Sequence, residues 1–386
     1  MMKSICTILG SFFLLLLIGC AANHPEDRTD SQNPPLSETN KPAQASAPET
    51  PPVVPLNPRI IEAELSIKIY DIQVLRGDAL TGYNIAHGVP VSAPPQFYIW
   101  VSGIAKRVNQ TILDLSLDGP IPNEIFSDTD NGNQIYFWDL SPDLGKQDSI
   151  VIVRKVRVQS FELFTMLDTS EYLAYDPSTR EYQFYTKSEF NIELTDAVKN
   201  CAIGIAGNEA NPYRKAKIIF DWVKQNMKYR RKSGTRGVKA ALKNMAGDSG
   251  QFSYLFIALC RAVGIPARFV AGFQADRSHE LKYHTWSEFL LPGHGWLPVD
   301  PIKGEDQFGK INNRRIIASV GNNIKLKNVP YWATFRNSEV NKSRTPFMQV
   351  ATIVKTGVKA KIKTGIKTIR FENVSGDVLS VQENKK

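Results

Sequence analysis

The chain has 386 residues, 42% hydrophobic and 22% charged, with a net charge of +9 at pH 7. That length suits two or three domains with cores of their own, and the composition is that of an ordinary soluble globular protein. The positive charge favours anionic surfaces or acidic polymers, but it is spread over many segments and singles out no partner. There is no phosphate loop, dinucleotide fingerprint or nucleic-acid motif, so nucleotide-dependent and nucleic-acid-binding functions are set aside.

In chain order, Lys3 precedes an apolar run, Ile8 to Ile18. The run is too short to span a membrane and suits a signal-peptide core. It ends in Leu17-Ile18-Gly19-Cys20, which resembles the lipobox of bacterial lipoproteins. The resemblance implies a signal over residues 1–19 and lipidation of the Cys20 thiol, each buried CH₂ contributing about 0.8 kcal/mol. Ala21 follows, not the Asp that retains such proteins at the inner membrane. The expectation is a lipid-anchored envelope protein, at the outer membrane of a diderm host. The alternative is an ordinary secretory signal with a chance Cys. Cys6 leaves with the signal, which leaves Cys201 and Cys260 in the folded part. They read as two buried free thiols rather than a disulfide.

Residues 20–57 are a Pro-rich linker whose polar composition cannot bury enough apolar surface to fold. From Arg59 the pattern changes. Ile61, Ala63, Leu65, Ile67 and Ile69 alternate with polar residues, as on a half-buried strand. Further β-rich runs at 97–101, 113–117, 134–140 and 149–164 are separated by turn signals such as Asn131-Gly132. Together they predict an all-β sandwich over 58–190.

Over 195–335 the period shifts. Asn211-Pro212 caps and opens a helix with Ala216, Ile219, Phe220, Val223 and Met227 on one face. A shorter helical piece covers Val238 to Asn244. The stretch "GDSGQFSYLFIALCRAVGIPARF" (247–269) then predicts a helix that opens at Ser249 and ends at Gly264-Ile265-Pro266. "ARFVAGF", "HTWSEFLL" and "GWLPVDP" read as strands, giving an α+β domain. Residues 336–386 form a β-rich basic segment. Lys359, Lys361 and Lys363 alternate there as a solvated strand face, or else as a patch for an anionic polymer or lipid headgroups.

Three residues carry the candidate chemistry: Ser249 at a helix start, His284 on a strand and Asp300 at the end of the next. A side chain at 249 would sit over unpaired N–H groups at the positive helix end. There a Cys would become a thiolate, and the same N–H groups would hold an oxyanion. The Pro-Gly turn between the strands predicts a hairpin, with Asp300 directly or diagonally opposite His284 and able to fix its tautomer.

The blocks Gly247-Asp248-Ser249, Arg261-Ala262 with Gly264-Ile265-Pro266-Ala267-Arg268, His284 with Trp286 and Glu288, and Gly295-Trp296 with Asp300-Pro301 resemble the bacterial transglutaminase-like family, relatives of papain-type cysteine proteases. The resemblance covers about residues 210–305. It implies a papain-like α+β core after the sandwich, with His284 as general base, Asp300 as its orienter, and neither cofactor nor metal. Ser249 departs from it by standing where the family has a nucleophilic Cys. A hydroxyl is far less acidic than a thiol and must lose its proton during attack. One reading is a silent relative that binds peptide, protein or envelope polymer in the old cleft. The alternative is an active serine-type hydrolase or acyltransferase using Ser249, His284 and Asp300. A third, a deliberate Cys→Ser trap, fits poorly with a signal and linker still in place.

Of the rest, Cys260 reads as core and cannot replace the nucleophile, lying about 16 Å along the helix from Ser249. His24, His87, His279 and His294 show no metal-ligand spacing and are expected in solvent. Trp286 and Trp296 are expected in the core, and Arg268 with Glu288 as a structural ion pair.

Overall fold

The computed structural model describes residues 54–164, 172–231, 234–302, 307–333 and 343–374. The signal segment, Cys20, His24 and most of the linker lie outside the described residues. In chain order the elements are β1 (Val54–Val74), α1 (Gly77–Ala86), β2 (Gln96–Ser102), β3 (Gln110–Asp118), β4 (Glu124–Asp128), β5 (Asn133–Asp139) and β6 (Ser149–Phe164). Helices follow: α2 (Arg180–Thr186), α3 (Asp196–Ala206), α4 (Pro212–Asn226), α5 (Val238–Asn244) and α6 (Ser249–Ala262). Two-residue strands β7 (Lys228–Tyr229) and β8 (Ala246–Gly247) lie among them. Then come β9 (Ala267–Ala275), β10 (Leu281–Leu291), β11 (Gly295–Val299), β12 (Lys310–Ile311), β13 (Arg315–Val320), β14 (Ile324–Lys325), β15 (Arg344–Thr345), β16 (Ala351–Thr356) and β17 (Val358–Asn373).

The all-β part is two antiparallel sheets. One runs β12-β6-β1-β17 with β3 also on β6, and the other runs β16-β2-β5-β4. The alternation in β1 works as the pattern requires: Ile61, Ala63, Leu65, Ile67 and Ile69 are all buried. They pack with Phe97, Ile99 and Val101 of β2 and with Ile150 and Ile152 of β6. β1 begins at Val54, so three of the last four residues of the expected linker, Val54 to Leu56, are paired with β6. Pro55 is tolerated there because β17 joins β1 only from Arg59 onward, leaving that edge open. The C-terminal strands β16 and β17 complete the two sheets by pairing with β2 and β1. Chain termini far apart in sequence thus build one sandwich.

The second part is the α+β core. Asn211 caps α4 as expected, its Oδ1 accepting the N–H groups of Tyr213 and Arg214 at 3.0 and 3.2 Å. Helix α6 is buried on every side from Gly250 to Arg261, more than a single apolar face predicts. The reason is its position between α3, α4 and α5 on one side and an antiparallel sheet, β11-β10-β9-β13, on the other. Phe256, Leu259 and Cys260 share one core with Phe269, Phe289 and Leu297 of that sheet. Among the described residues no helix is long and apolar enough to cross a membrane.

Candidate functional site

Two local structures meet at the site. The first is the head of α6. Parallel pairing of β7 with β8 sets Gly247 beside Tyr229. The chain then turns tightly enough that a Cβ on Gly247 would lie 2.3 Å from the Gln251 Cβ, so only glycine fits. Asp248 is the N-cap. Its Oδ1 accepts the Gly250 and Gln251 N–H groups at 3.1 and 3.3 Å, and Arg236 grips both its carboxylate oxygens at 2.9 and 2.6 Å. Two of the N–H groups expected to await an anion are therefore taken by this carboxylate. Ser249 is the first helical residue. Its hydroxyl has no hydrogen bond to any described residue. It borders an open cleft of about 640 Å³.

The second structure is the β9–β13 sheet. The β10–β11 register ends with Ser287 opposite Val299, so the next step places Asp300 opposite Trp286 and diagonal to His284. The expected hairpin contact follows: His284 Nε2–H donates to Asp300 Oδ2 at 2.7 Å. A second group also holds that carboxylate. Arg315 Nη2 donates to the same Oδ2 at 2.9 Å and to Gln307 Oε1, and the Arg315 side chain is 1% exposed. Arg315 arrives from β13, which comes so close to β9 that a Cβ on Gly272 would lie 2.0 Å from the Ile316 carbonyl oxygen. Gly272 is also the β9 partner of His284. Burial alone would raise the Asp300 pKa, but the neighbouring His284 and Arg315 outweigh it and hold the carboxyl well below its usual range. The Arg315 guanidinium also lies 5.0 Å from the centroid of the Trp286 ring, which stacks on His284 at 6.1 Å.

The structure joins His284 to Asp300. It does not join Ser249 to His284 by a hydrogen bond. Alternation along β10 sets the His284 ring with Trp286, whereas Tyr283 and Thr285 border the cleft with Ser249. Arg315 was missed by sequence reasoning, although a buried carboxylate at Asp300 does call for a cation.

Other expectations divide. Cys260 is buried, and burial pushes its thiol well above the usual range. Cys201 is likewise in no disulfide but is only half-buried, a correction. His87 and His279 are exposed, while His294 is half-buried with Nδ1 shut off from solvent; its place at the tight β10–β11 turn accounts for this. Trp286 is fully buried. Trp296 is only half-buried, its ring covered by the Arg268 guanidinium at 3.9 Å. Arg268 pairs with Glu288 at 2.7 Å, the structural ion pair expected. Among the described residues no cluster of His, Cys, Asp and Glu has metal-ligand geometry.

A buried helix whose head meets an antiparallel sheet bearing a His–Asp pair defines the papain-like class of fold. Residues 199–301 match the transglutaminase-like superfamily, so the chain carries a domain of that superfamily. An uncharacterized protein of Haemophilus influenzae is 25% identical over 243 residues, 55% of this chain and 65% of that protein. A protein-glutamine gamma-glutamyltransferase of Pseudomonas aeruginosa is 44% identical over 50 residues, 11% of this chain and 8% of that protein. The chain thus matches less than two thirds of the length of either. In structure, a candidate cysteine protease from Cytophaga hutchinsonii covers 82% of this chain and 94% of its own, with TM-score 0.54 and 17% identity, which shows a shared fold.

Proposed function

We propose that the chain is a catalytically silent transglutaminase-like protein of the bacterial cell envelope, anchored through Cys20, that binds a peptide, protein or envelope polymer in the cleft beside Ser249. One observation carries this reading: the Ser249 hydroxyl has no hydrogen bond to His284 or to any other described residue, and His284 meets Asp300 through Nε2 with its ring set beside Trp286. A hydroxyl needs that base in contact as it attacks, because it does not ionise beforehand as a thiol does. A fluorophosphonate probe tests the reading. Ser249 is expected to stay unlabelled. Labelling that disappears in His284→Ala overturns the proposal. In Ser249→Cys, the helix end is expected to speed alkylation by iodoacetamide at pH 7 about tenfold over Cys201. That rate is expected to be insensitive to His284→Ala.

The second reading is a serine-type amide hydrolase or acyltransferase, supported by the 2.7 Å His284–Asp300 contact. In it His284 takes the Ser249 proton as Oγ attacks the amide carbonyl, then gives it to the leaving amine. Water or an amine resolves the acyl-enzyme, and Asp300 holds the imidazole in one tautomer throughout. Loss of probe labelling on His284→Ala is the result this reading requires.

A further inference from the structure

The cleft beside Ser249 has a floor of unusual kind. Strand β11 pairs only with Ser287–Leu291 of β10. From Leu281 to Trp286, β10 therefore has β9 on one side and no partner strand among the described residues on the other. Leu281, Lys282 and Tyr283 are consecutive, and all border the cleft. Alternate side chains point to opposite faces, so three in a row can border one cleft only where the strand presents its edge. The opposite wall is β17, tied to β10 by Leu281 N–H to Thr368 Oγ1 at 3.0 Å and by Tyr283 Oη to Thr364 Oγ1 at 3.1 Å.

The charge of the cleft is one-sided. Arg231, Arg236 and Lys282 border it against a single carboxylate, Asp248. Arg236 is spent on Asp248. Lys282 has only a 3.8 Å contact with Asp276, both groups well exposed, and such pairs hold a cation weakly. Arg231 is exposed and makes no ion pair with any described residue.

Building on the binding role proposed above, we propose that the cleft takes an acidic peptide in extended form, added as a strand along the open edge of β10. Main-chain hydrogen bonds to that edge supply affinity without regard to sequence. Arg231 and Lys282 then select carboxylate side chains, and the exposed rings of Tyr229 and Tyr283 cover the apolar parts of the bound chain. An anionic polysaccharide would satisfy the two cations, but it has no amide backbone for the strand edge.

The test uses detergent-solubilised full chain and a fluorescein-labelled peptide of alternating Glu and Thr, read by anisotropy. The peptide is expected to bind at least about tenfold tighter than its Lys-Thr counterpart and to weaken with salt. N-methylation of alternate amides is expected to cost about tenfold, as is Arg231→Glu combined with Lys282→Glu, with an unchanged melting curve. Equal affinity for the two peptides overturns the proposal. So does an N-methylated peptide that binds as well as the parent, or polygalacturonate that competes equally with the N-methylated and parent peptides. Peptide binding and Ser249 labelling are independent readouts. An acidic peptide that binds and is also cleaved removes the silent reading and keeps this one. Failure to discriminate charge, with Ser249 unlabelled, does the reverse.

Discussion

The two ends of the site are built to different standards. At the His284 end the buried carboxylate is held from several directions, although Arg315 Nε and Nη1 have no partner. Asp300 Oδ2 accepts from both His284 and Arg315, Gln307 takes the same Arg315 nitrogen, and the Asp300 N–H donates to the Gln307 carbonyl at 2.9 Å. At the Ser249 end the helix cap is satisfied by Asp248, but the reactive position itself is not bonded. A buried carboxylate left without its cations costs several kcal/mol. A half-buried hydroxyl at an open cleft bears no such demand. The burial of Asp300 is therefore reason enough for His284 and Arg315 to stand beside it, with or without turnover.

That contrast predicts very unequal costs of mutation. Arg315→Ala removes one holder of a buried carboxylate and is expected to destabilise by about 3–5 kcal/mol, read from the urea midpoint at pH 7. Ser249→Ala is expected to stay within about 0.5 kcal/mol of the parent. Equal costs would mean that the two ends are one network. Acid sharpens the same point. The folded-state pKa of Asp300 is depressed, so its contribution is fully present above the unfolded value of about 3.9 and is lost as pH falls below it. Asp300→Asn is expected to be less stable than the parent at pH 7. Its melting temperature is expected to fall less steeply between about pH 4 and pH 2, where the parent loses this term.

Much of this site could be read from residues near one another in sequence. The His284–Asp300 contact follows from a hairpin of known register, the α4 cap from Asn211-Pro212, and the Arg268–Glu288 pair from their places on adjacent strands. What escaped depends on partners brought from far away. Arg315 reaches Asp300 only because β13 packs against β9 across Gly272, and nothing in "NNRRIIASV" distinguishes a buried arginine from a solvated one. The closing of both sheets by β16 and β17 is likewise a pairing over hundreds of residues, which alternation alone cannot assign. The helix head was misjudged for another reason. Unpaired N–H groups were expected beneath Ser249, but Asp before a helix is first of all an N-cap that consumes them.

That cap yields a far smaller expected effect than the buried network. Asp248→Ala frees the Gly250 and Gln251 N–H groups and is expected to cost about 1 kcal/mol, the usual worth of an N-cap. The ion pair with Arg236 adds little, since the Arg236 side chain is 41% exposed and water competes for it. Asp248→Ser keeps the cap while discarding the charge, so it is expected to recover most of the loss. Should Asp248→Ser prove as damaging as Asp248→Ala, the charge rather than the cap would be holding this end. The helix head would then belong with the buried network around Asp300, not apart from it.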